Sequence, residues 1–162
     1  MTCALKIGQP VWWQGKQHLV GAYIALSAGE FGWKLCDLHT PDGLGNLRLA
    51  SSDGEMHEVL HGGDWEGLCE PGRHERHREY LADLPPVEHG GGKLVRFDDA
   101  IYEANHQGDA LAFDRGRLLE YELADGGRAV VFVSNRRWVE FQARAATPED
   151  LQTTAAVVSS GV

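Results

Sequence analysis

The segment LLEYELADGGRAVVFV, residues 118–133, carries the clearest secondary-structure signal in this sequence. Two runs rich in leucine, valine and aromatic residues flank the turn Asp125-Gly126-Gly127. Such residues are enriched in β-strands, and Asp-Gly and Gly-Gly pairs form the tight turns that join antiparallel strands. The segment is therefore predicted to be a β-hairpin, which indicates an antiparallel β protein.

Comparable strand patterns occur on both sides of this hairpin. They cover residues 11–13, 18–26, 33–38, 47–49, 56–60, 94–97, 100–104 and 138–141, with a turn predicted at Asp98-Asp99. The chain contains 20 glycines but only 6 prolines, a composition that favours many tight turns over a disordered Pro/Gly tract. The predicted fold class is all-β.

The strand patterns also suggest an internal repeat. Residues 35–38, followed by Pro-Asp-Gly, match residues 120–123, followed by Asp-Gly-Gly, and residues 56–59 match residues 138–141. We therefore predict two related small antiparallel, barrel-like modules that pack together, at residues 1–63 and 93–146. A charged, Gly/Pro-containing connector is predicted at 64–92. A short helix with a frayed tail is predicted at 147–162, since Thr147-Pro148 is a helix start signal.

Charge and composition argue against several classes of function and location. The formal net charge is −9, which repels phosphate backbones and argues against nucleic-acid binding. The sequence shows no secretory signal pattern and no apolar run long enough to span a bilayer. The three cysteines are widely spaced, so neither a disulfide framework nor a cysteine zinc site is predicted. These features predict a cytoplasmic protein with no direct membrane insertion.

The sharpest chemical motif is His57-Glu58-Val59-Leu60-His61, a literal HExxH. On a helix, the two histidines would share a face and bind zinc, and Glu58 would activate a water. Ser52 with Glu55 could form a capping box for such a helix. In a strand, however, the histidines would lie roughly 13 Å apart, too far to share one metal. The matching segment 138–141 has a strand pattern, so a strand is predicted here too. A zinc hydrolase that uses His57, Glu58 and His61 remains the alternative function.

No other motif points to catalysis. The sequence has no GxSxG motif, no kinase signature and no dinucleotide fingerprint, so we predict neither catalytic residues nor a cofactor. Adjacent Trp12 and Trp13 must point to opposite faces of a strand, and one of them could be exposed. These two tryptophans are the predicted interaction surface.

The order of these features resembles the DUF4178 family, a group of uncharacterised bacterial proteins. The opening LKIGQPV, residues 5–11, is similar to the family's L-x-x-G-x-x-V start, and GKQHLVG, residues 15–21, stands in place of its G-x-x-Y-x-V-x-G. The tryptophan-led strand 33–38, the Asp53-Gly54 turn and the closing WVEF at 138–141 also fit. The chain departs from the family pattern in the connector and at His18, where the family has an aromatic residue.

The resemblance implies a cellular role for the chain but no catalytic residues. Members of this family are thought to accompany membrane-stress proteins and polyamine-synthesis enzymes, which implies an accessory or adaptor function. Together with the absence of a convergent catalytic set, it leads us to expect a non-enzymatic β-module that binds a protein partner. Sheet faces and sheet edges are the expected contact surfaces.

Overall fold

The computed structural model describes residues 6–43, 46–62, 67–68, 75–106 and 112–152. Within these ranges the chain is built almost entirely from antiparallel strands. The strands are β1 (Pro10–Trp13), β2 (Lys16–Ala28), β3 (Phe31–His39), β4 (Asn46–Ser52), β5 (Glu55–Gly62), β6 (Gly67–Leu68), β7 (Glu88–His89), β8 (Gly92–His106), β9 (Ala112–Glu122), β10 (Arg128–Val133), β11 (Arg137–Ala145) and β12 (Leu151–Gln152). The helical elements are α1 (Glu75–Leu81) and a 3₁₀ turn at Pro148–Asp150. The predicted all-β class is confirmed.

Eight of the strands close into a ring. Their order is β2, β3, β4, β5, β11, β10, β9 and β8, and β8 pairs back onto β2. Every neighbouring pair in the ring is antiparallel. Closure leaves most strands with a hydrogen-bonded neighbour on both edges, which removes the exposed edges of an open sheet.

The ring consists of two four-stranded meanders with the same connectivity. One contains β2 to β5 and the other β8 to β11. Their first strands pair with each other, from Ala22 opposite His106 to Ser27 opposite Ile101, and their last strands, β5 and β11, do the same. The meanders are therefore related as the two halves of a pseudo-two-fold arrangement, and they share one continuous sheet.

Segments that match in sequence occupy equivalent strands. Residues 35–38 lie in β3 and residues 120–122 at the end of β9, each the second strand of its meander, and Leu123 directly follows β9. Residues 56–59 lie in β5 and residues 138–141 in β11, each the fourth strand. The topology therefore gives the sequence repeat a structural counterpart.

Apolar side chains that point into the ring form the central core. They come from both meanders and include Ile24, Leu26, Trp33, Leu35, Tyr102, Leu118, Val130, Phe132, Val139 and Phe141. In β8 the even-numbered residues Ala100, Tyr102 and Ala104 belong to this core, so the odd-numbered residues between them face outward.

The outer face of each meander carries a further apolar cluster. On the first meander, Cys36, Leu38 and Leu49 pack against β1 and β12. On the second, Leu119, Tyr121, Ala129, Val131 and Val133 pack with Tyr80 of α1. The two halves of the ring are thus covered by different elements. No helix in the described ranges has the length and apolar character needed to cross a bilayer.

One local prediction is wrong. Residues 98 and 99 do not form a turn, because β8 continues through them and pairs with Leu118 and Arg117 of β9. Aspartate favours turns, but here both side chains are exposed on a strand, where water solvates them. The helix start predicted at Thr147-Pro148 is confirmed as a 3₁₀ turn at Pro148–Asp150 with Thr147 as its N-cap. The chain then enters β12, which pairs with β1. Residues 153–162 lie outside the described residues.

Candidate functional site

The HExxH segment lies in strand β5, as its sequence pattern predicts. Successive side chains therefore point to opposite faces. The ring of His57 packs inside against Trp33 with 4.9 Å between centroids, whereas Glu58 forms an ion pair with Arg144 at 3.5 Å. The helical geometry that the zinc motif requires is absent from β5. The side chain of His61 lies outside what the structure describes, and no cluster of three potential metal ligands occurs among the described residues.

His57 is a buried titratable group in the wall of the core. Its Nδ1 atom has no hydrogen-bond partner among the described residues. Burial lowers the pKa of His57 because the charged imidazolium is poorly solvated there, and the nearby charge of Glu55 only partly offsets this effect. The fold therefore favours the neutral imidazole.

Trp12 and Trp13, the predicted interaction surface, point to opposite faces of β1. Trp13 is buried in the outer cluster of the first meander, while Trp12 is partly exposed. Both pair with β12 through their backbones. The tryptophan pair therefore includes one core residue, and only Trp12 offers a surface.

An acidic residue lies inside the ring near one end. Glu120 is almost fully buried and accepts hydrogen bonds from Trp33 Nε1 at 2.7 Å and Arg96 Nη2 at 3.1 Å. Its second oxygen contacts Arg128 Nε at 3.2 Å. Arg96 also contacts Asp53 at 3.0 Å. Burial disfavours the Arg96 cation, but the Glu120 and Asp53 hydrogen bonds outweigh it and raise the pKa of Arg96. These contacts engage both carboxylate oxygens of Glu120. We therefore interpret the group as a network that stabilises the fold.

A second polar chain attaches α1 to the sheet. The Tyr80 hydroxyl is hydrogen-bonded to His89 Nδ1 at 2.7 Å, and His89 Nε2 lies 2.9 Å from Glu140 Oε2. Tyr121 donates a hydrogen bond to the carbonyl of Pro86 at 2.9 Å. Burial raises the pKa of Tyr121, and the neighbouring Tyr80 adds a smaller effect in the same direction. A tyrosine, histidine and carboxylate in series could relay a proton, but Tyr80 is buried against Trp138 and offers no access for a substrate.

The outer surface of β8 and β9 exposes several large apolar side chains. Phe97 and Ile101 of β8 are 41% and 43% exposed, and Phe113 of β9 is 63% exposed. Charged side chains lie between these apolar groups. Across the two strands, Asp99 pairs with Arg117, and Ile101 pairs with Arg115. We call this surface, defined by Phe97, Asp99, Ile101, Phe113 and Arg115, the β8–β9 face.

A groove of about 570 Å³ runs beside the β8–β9 face. It lies between the end of α1 at Leu81, the end of β2 at Ser27 and Gly29, and the β8 residues Asp99 and Ile101. The groove exists because β2 leaves β8 after the Ser27–Ile101 pair. Both apolar and charged groups line it, as is common where proteins contact one another.

Sequence reasoning missed this surface. Phe97 and Ile101 follow the alternation of a half-buried strand, in which the apolar positions are expected to face the core. In β8 the order is reversed, because the small Ala100 and Ala104 face inward with Tyr102. One feature of the sequence does indicate the observed orientation. Ala100 and Ala104 have small side chains, which fit the positions that face the filled interior.

Comparisons with models of protein families, with curated proteins and with solved structures find no match to this chain.

Proposed function

We propose that this chain is a non-catalytic interaction module that binds a partner protein through the β8–β9 face. The observation that carries the proposal is the grouping of Phe97, Ile101 and Phe113 on one outer surface, beside a groove. Exposed apolar groups set among charged ones are typical of protein contact sites. Aromatic side chains in particular supply much of the binding energy at such sites.

The organisation of the ring supports this surface over others. The outer faces of both meanders carry apolar clusters that the chain's own elements cover, namely β1 and β12 on one half and α1 on the other. The β8–β9 face lies beside the α1 cluster and has no such cover in the described part of the chain. An accessory or adaptor role beside membrane-stress proteins, which the family resemblance implies, belongs to the same proposal.

The test compares partner retention by matched surface variants. Phe97→Ser with Ile101→Ser removes two anchors of the face, and Leu60→Ser is the control, because Leu60 is 41% exposed and lies on β5, across the ring. The wild-type chain and the control are expected to retain one stoichiometric protein from a lysate of cells that express the chain. The double variant should lose it while its circular dichroism stays unchanged.

Two results would contradict the proposal. Equal retention by all three proteins would place any binding surface elsewhere. Reproducible substrate turnover by the purified chain that disappears when a single residue is changed would show that the chain is an enzyme.

A further inference from the structure

Strand β8 has an unfilled stretch along the edge that faces away from β9. On that edge β7 pairs with Gly92 and Lys93, and the backbone N–H of Leu94 donates to Val87. β2 pairs only with residues 101–106. Between these neighbours, residues 95–100 have a strand partner on the β9 side alone in the part of the chain that the structure describes.

The equivalent edge of the other meander is filled. On β2, residues 16–19 pair with β1 and residues 22–27 pair with β8. The short interval between them is closed by the chain itself: Gly8 N–H donates to Val20 at 2.6 Å, and Val20 N–H donates to Gln9 at 3.1 Å. On the first meander this edge is therefore closed by the chain's own β1 and by a turn at residues 7–8, in which Gly8 has φ +86°.

From this comparison we infer that an extended, basic segment of a partner protein adds to the sheet along residues 95–100 of β8. The inference rests on the proposed function and specifies its partner. Addition of a strand to a free edge is a common way for β-sheets to recognise peptides, because main-chain hydrogen bonds supply affinity and the side chains on each face supply specificity.

On the outer side of the sheet, a groove adjoins residues 99–101 at one end of this edge and extends over residues 115–117 of β9. Where β2 leaves β8, the tip of the β2–β3 hairpin turns inward, since Phe31 packs against the central core and Arg96 lies over its ring at 4.5 Å. The tip therefore covers the end of the ring. The groove beside Asp99 and Ile101 stays open on the outer side of the split.

The negative charge next to this edge indicates that the added segment is basic. Asp98 and Asp99 are exposed next to this edge and point to opposite faces of β8, because they pair with Leu118 and Arg117. Asp98 Oδ1 accepts the backbone N–H of Asp99 at 2.8 Å, and no ion pair among the described residues includes either carboxylate. The cross-strand neighbour of Asp99 is Arg117, which donates instead to the carbonyls of Tyr80 and Ala82 at the end of α1. Lysine or arginine on one face of a segment would pair with the carboxylate on that face, and the net charge of −9 would attract the segment.

Exposed apolar side chains flank this acidic pair in the sequence. Val95 is 48% exposed, and Phe97 and Ile101 flank Asp99 on the outer face. An added strand that alternates valine with lysine places its valines on one face and its lysines on the other. Its valines would cover Phe97 and Ile101 on the outer face, and its lysines would then lie on the face of Asp98. The same acidic pair would repel acidic strands and, by symmetry, a second copy of this edge.

The experiment measures three ten-residue synthetic peptides against the full chain. They alternate valine with lysine, with serine or with glutamate. Fluorescence anisotropy gives affinities at low and high salt, and amide hydrogen exchange locates the bound strand. The Val-Lys peptide is expected to bind at least about tenfold more tightly than the Val-Glu peptide and to weaken with salt. It should protect amides within residues 95–100.

Matched variants test whether Asp98 and Asp99 cause the preference for the basic peptide. Asp98→Asn with Asp99→Asn should remove the preference for the Val-Lys peptide. Glu55→Gln with Glu58→Gln removes the same number of charges on β5, across the ring, and should leave that preference unchanged. Serine in place of lysine should give intermediate binding.

Several outcomes would overturn the inference. These are no protection at residues 95–100 with any peptide, equal affinity for the basic and acidic peptides, or a preference that survives the double asparagine variant. Dimerisation of the chain alone in sedimentation, with protection of residues 95–100, would assign the edge to a second copy. Partner retention that depends on Phe97 and Ile101 without protection of the β8 edge would reject strand addition and leave the proposed function intact.

Discussion

Glu120 shows how a carboxylate is accommodated inside a closed sheet. Removing a charge from water is costly unless hydrogen bonds and opposite charges replace the lost hydration. Here an indole and two guanidinium groups contact the two carboxylate oxygens. Trp33 and Glu120 are 87 positions apart, so no local pattern in the sequence could pair them.

Glu120→Gln is therefore expected to be strongly destabilising. The amide is neutral and leaves Arg96 and Arg128 without their buried anion, so the free energy of unfolding should fall by about 2–3 kcal/mol. Glu122→Gln is the matched control, because Glu122 contacts the same Arg128 at 3.4 Å but its side chain is 55% exposed. Its effect should be about 0–0.5 kcal/mol in denaturant unfolding. Equal losses would show that burial of Glu120 contributes nothing.

His57 links stability to pH. Its folded-state pKa lies below the ordinary value of 6.5, so the unfolded chain binds a proton more readily than the native chain. Above about pH 6.5 both states carry a neutral imidazole, and no penalty arises. As the pH falls from there towards the folded-state pKa, the unfolded state gains a proton first and native stability declines.

His57→Gln should remove part of that decline. The measurement is the difference in unfolding free energy between pH 7.5 and pH 5.5, compared between wild type and variant. Other titrating groups contribute equally to both proteins, so the comparison isolates His57. An identical pH dependence in the two proteins would contradict a lowered pKa.

At the scale of elements, α1 depends on its attachment to the sheet. Its seven residues are too few to be stable as an isolated helix. Tyr80 provides the anchor, with a hydrogen bond to His89 at 2.7 Å and an edge contact to Trp138 at 4.9 Å. The sequence shows the charged run of the connector but not this anchor, since α1, β7 and β11 meet only in the folded chain.

Graded substitutions of Tyr80 should separate the two contributions. Tyr80→Phe keeps the ring and removes the hydroxyl, so a loss of about 1 kcal/mol is expected. Tyr80→Ala also removes the packed ring, and about 3–5 kcal/mol is expected. Hydrogen exchange of the amides in 75–81 should rise in the same order. If the alanine variant left these amides as protected as in wild type, Tyr80 would not be the anchor.

Over the whole molecule, the closed ring couples the two meanders. Each meander contributes to one central core, and each shares hydrogen bonds with the other at the β2–β8 and β5–β11 boundaries. A four-stranded half would expose its core face and two strand edges. The repeat that the sequence suggests is therefore not expected to behave as two independent units.

Equilibrium unfolding should reflect this coupling as one cooperative transition. Tryptophan fluorescence and far-ultraviolet circular dichroism are expected to give coincident curves in guanidinium chloride. Glu120→Gln, whose contacts reach both meanders through Trp33 and Arg96, should shift both curves together. Two resolved transitions, or probes with different midpoints, would show that the halves unfold separately.

The sequence by itself determined the strand content, most turns, and the resemblance between the halves. It could do so because strand periodicity and turn chemistry act between residues close together in the chain. It also indicated correctly that the HExxH segment is a strand. Only the tertiary structure decided that the halves share one ring, that Glu120 is buried, and that Phe97 and Ile101 face outward beside an open edge. Those features depend on pairing between distant strands, and many pairings satisfy the same local pattern.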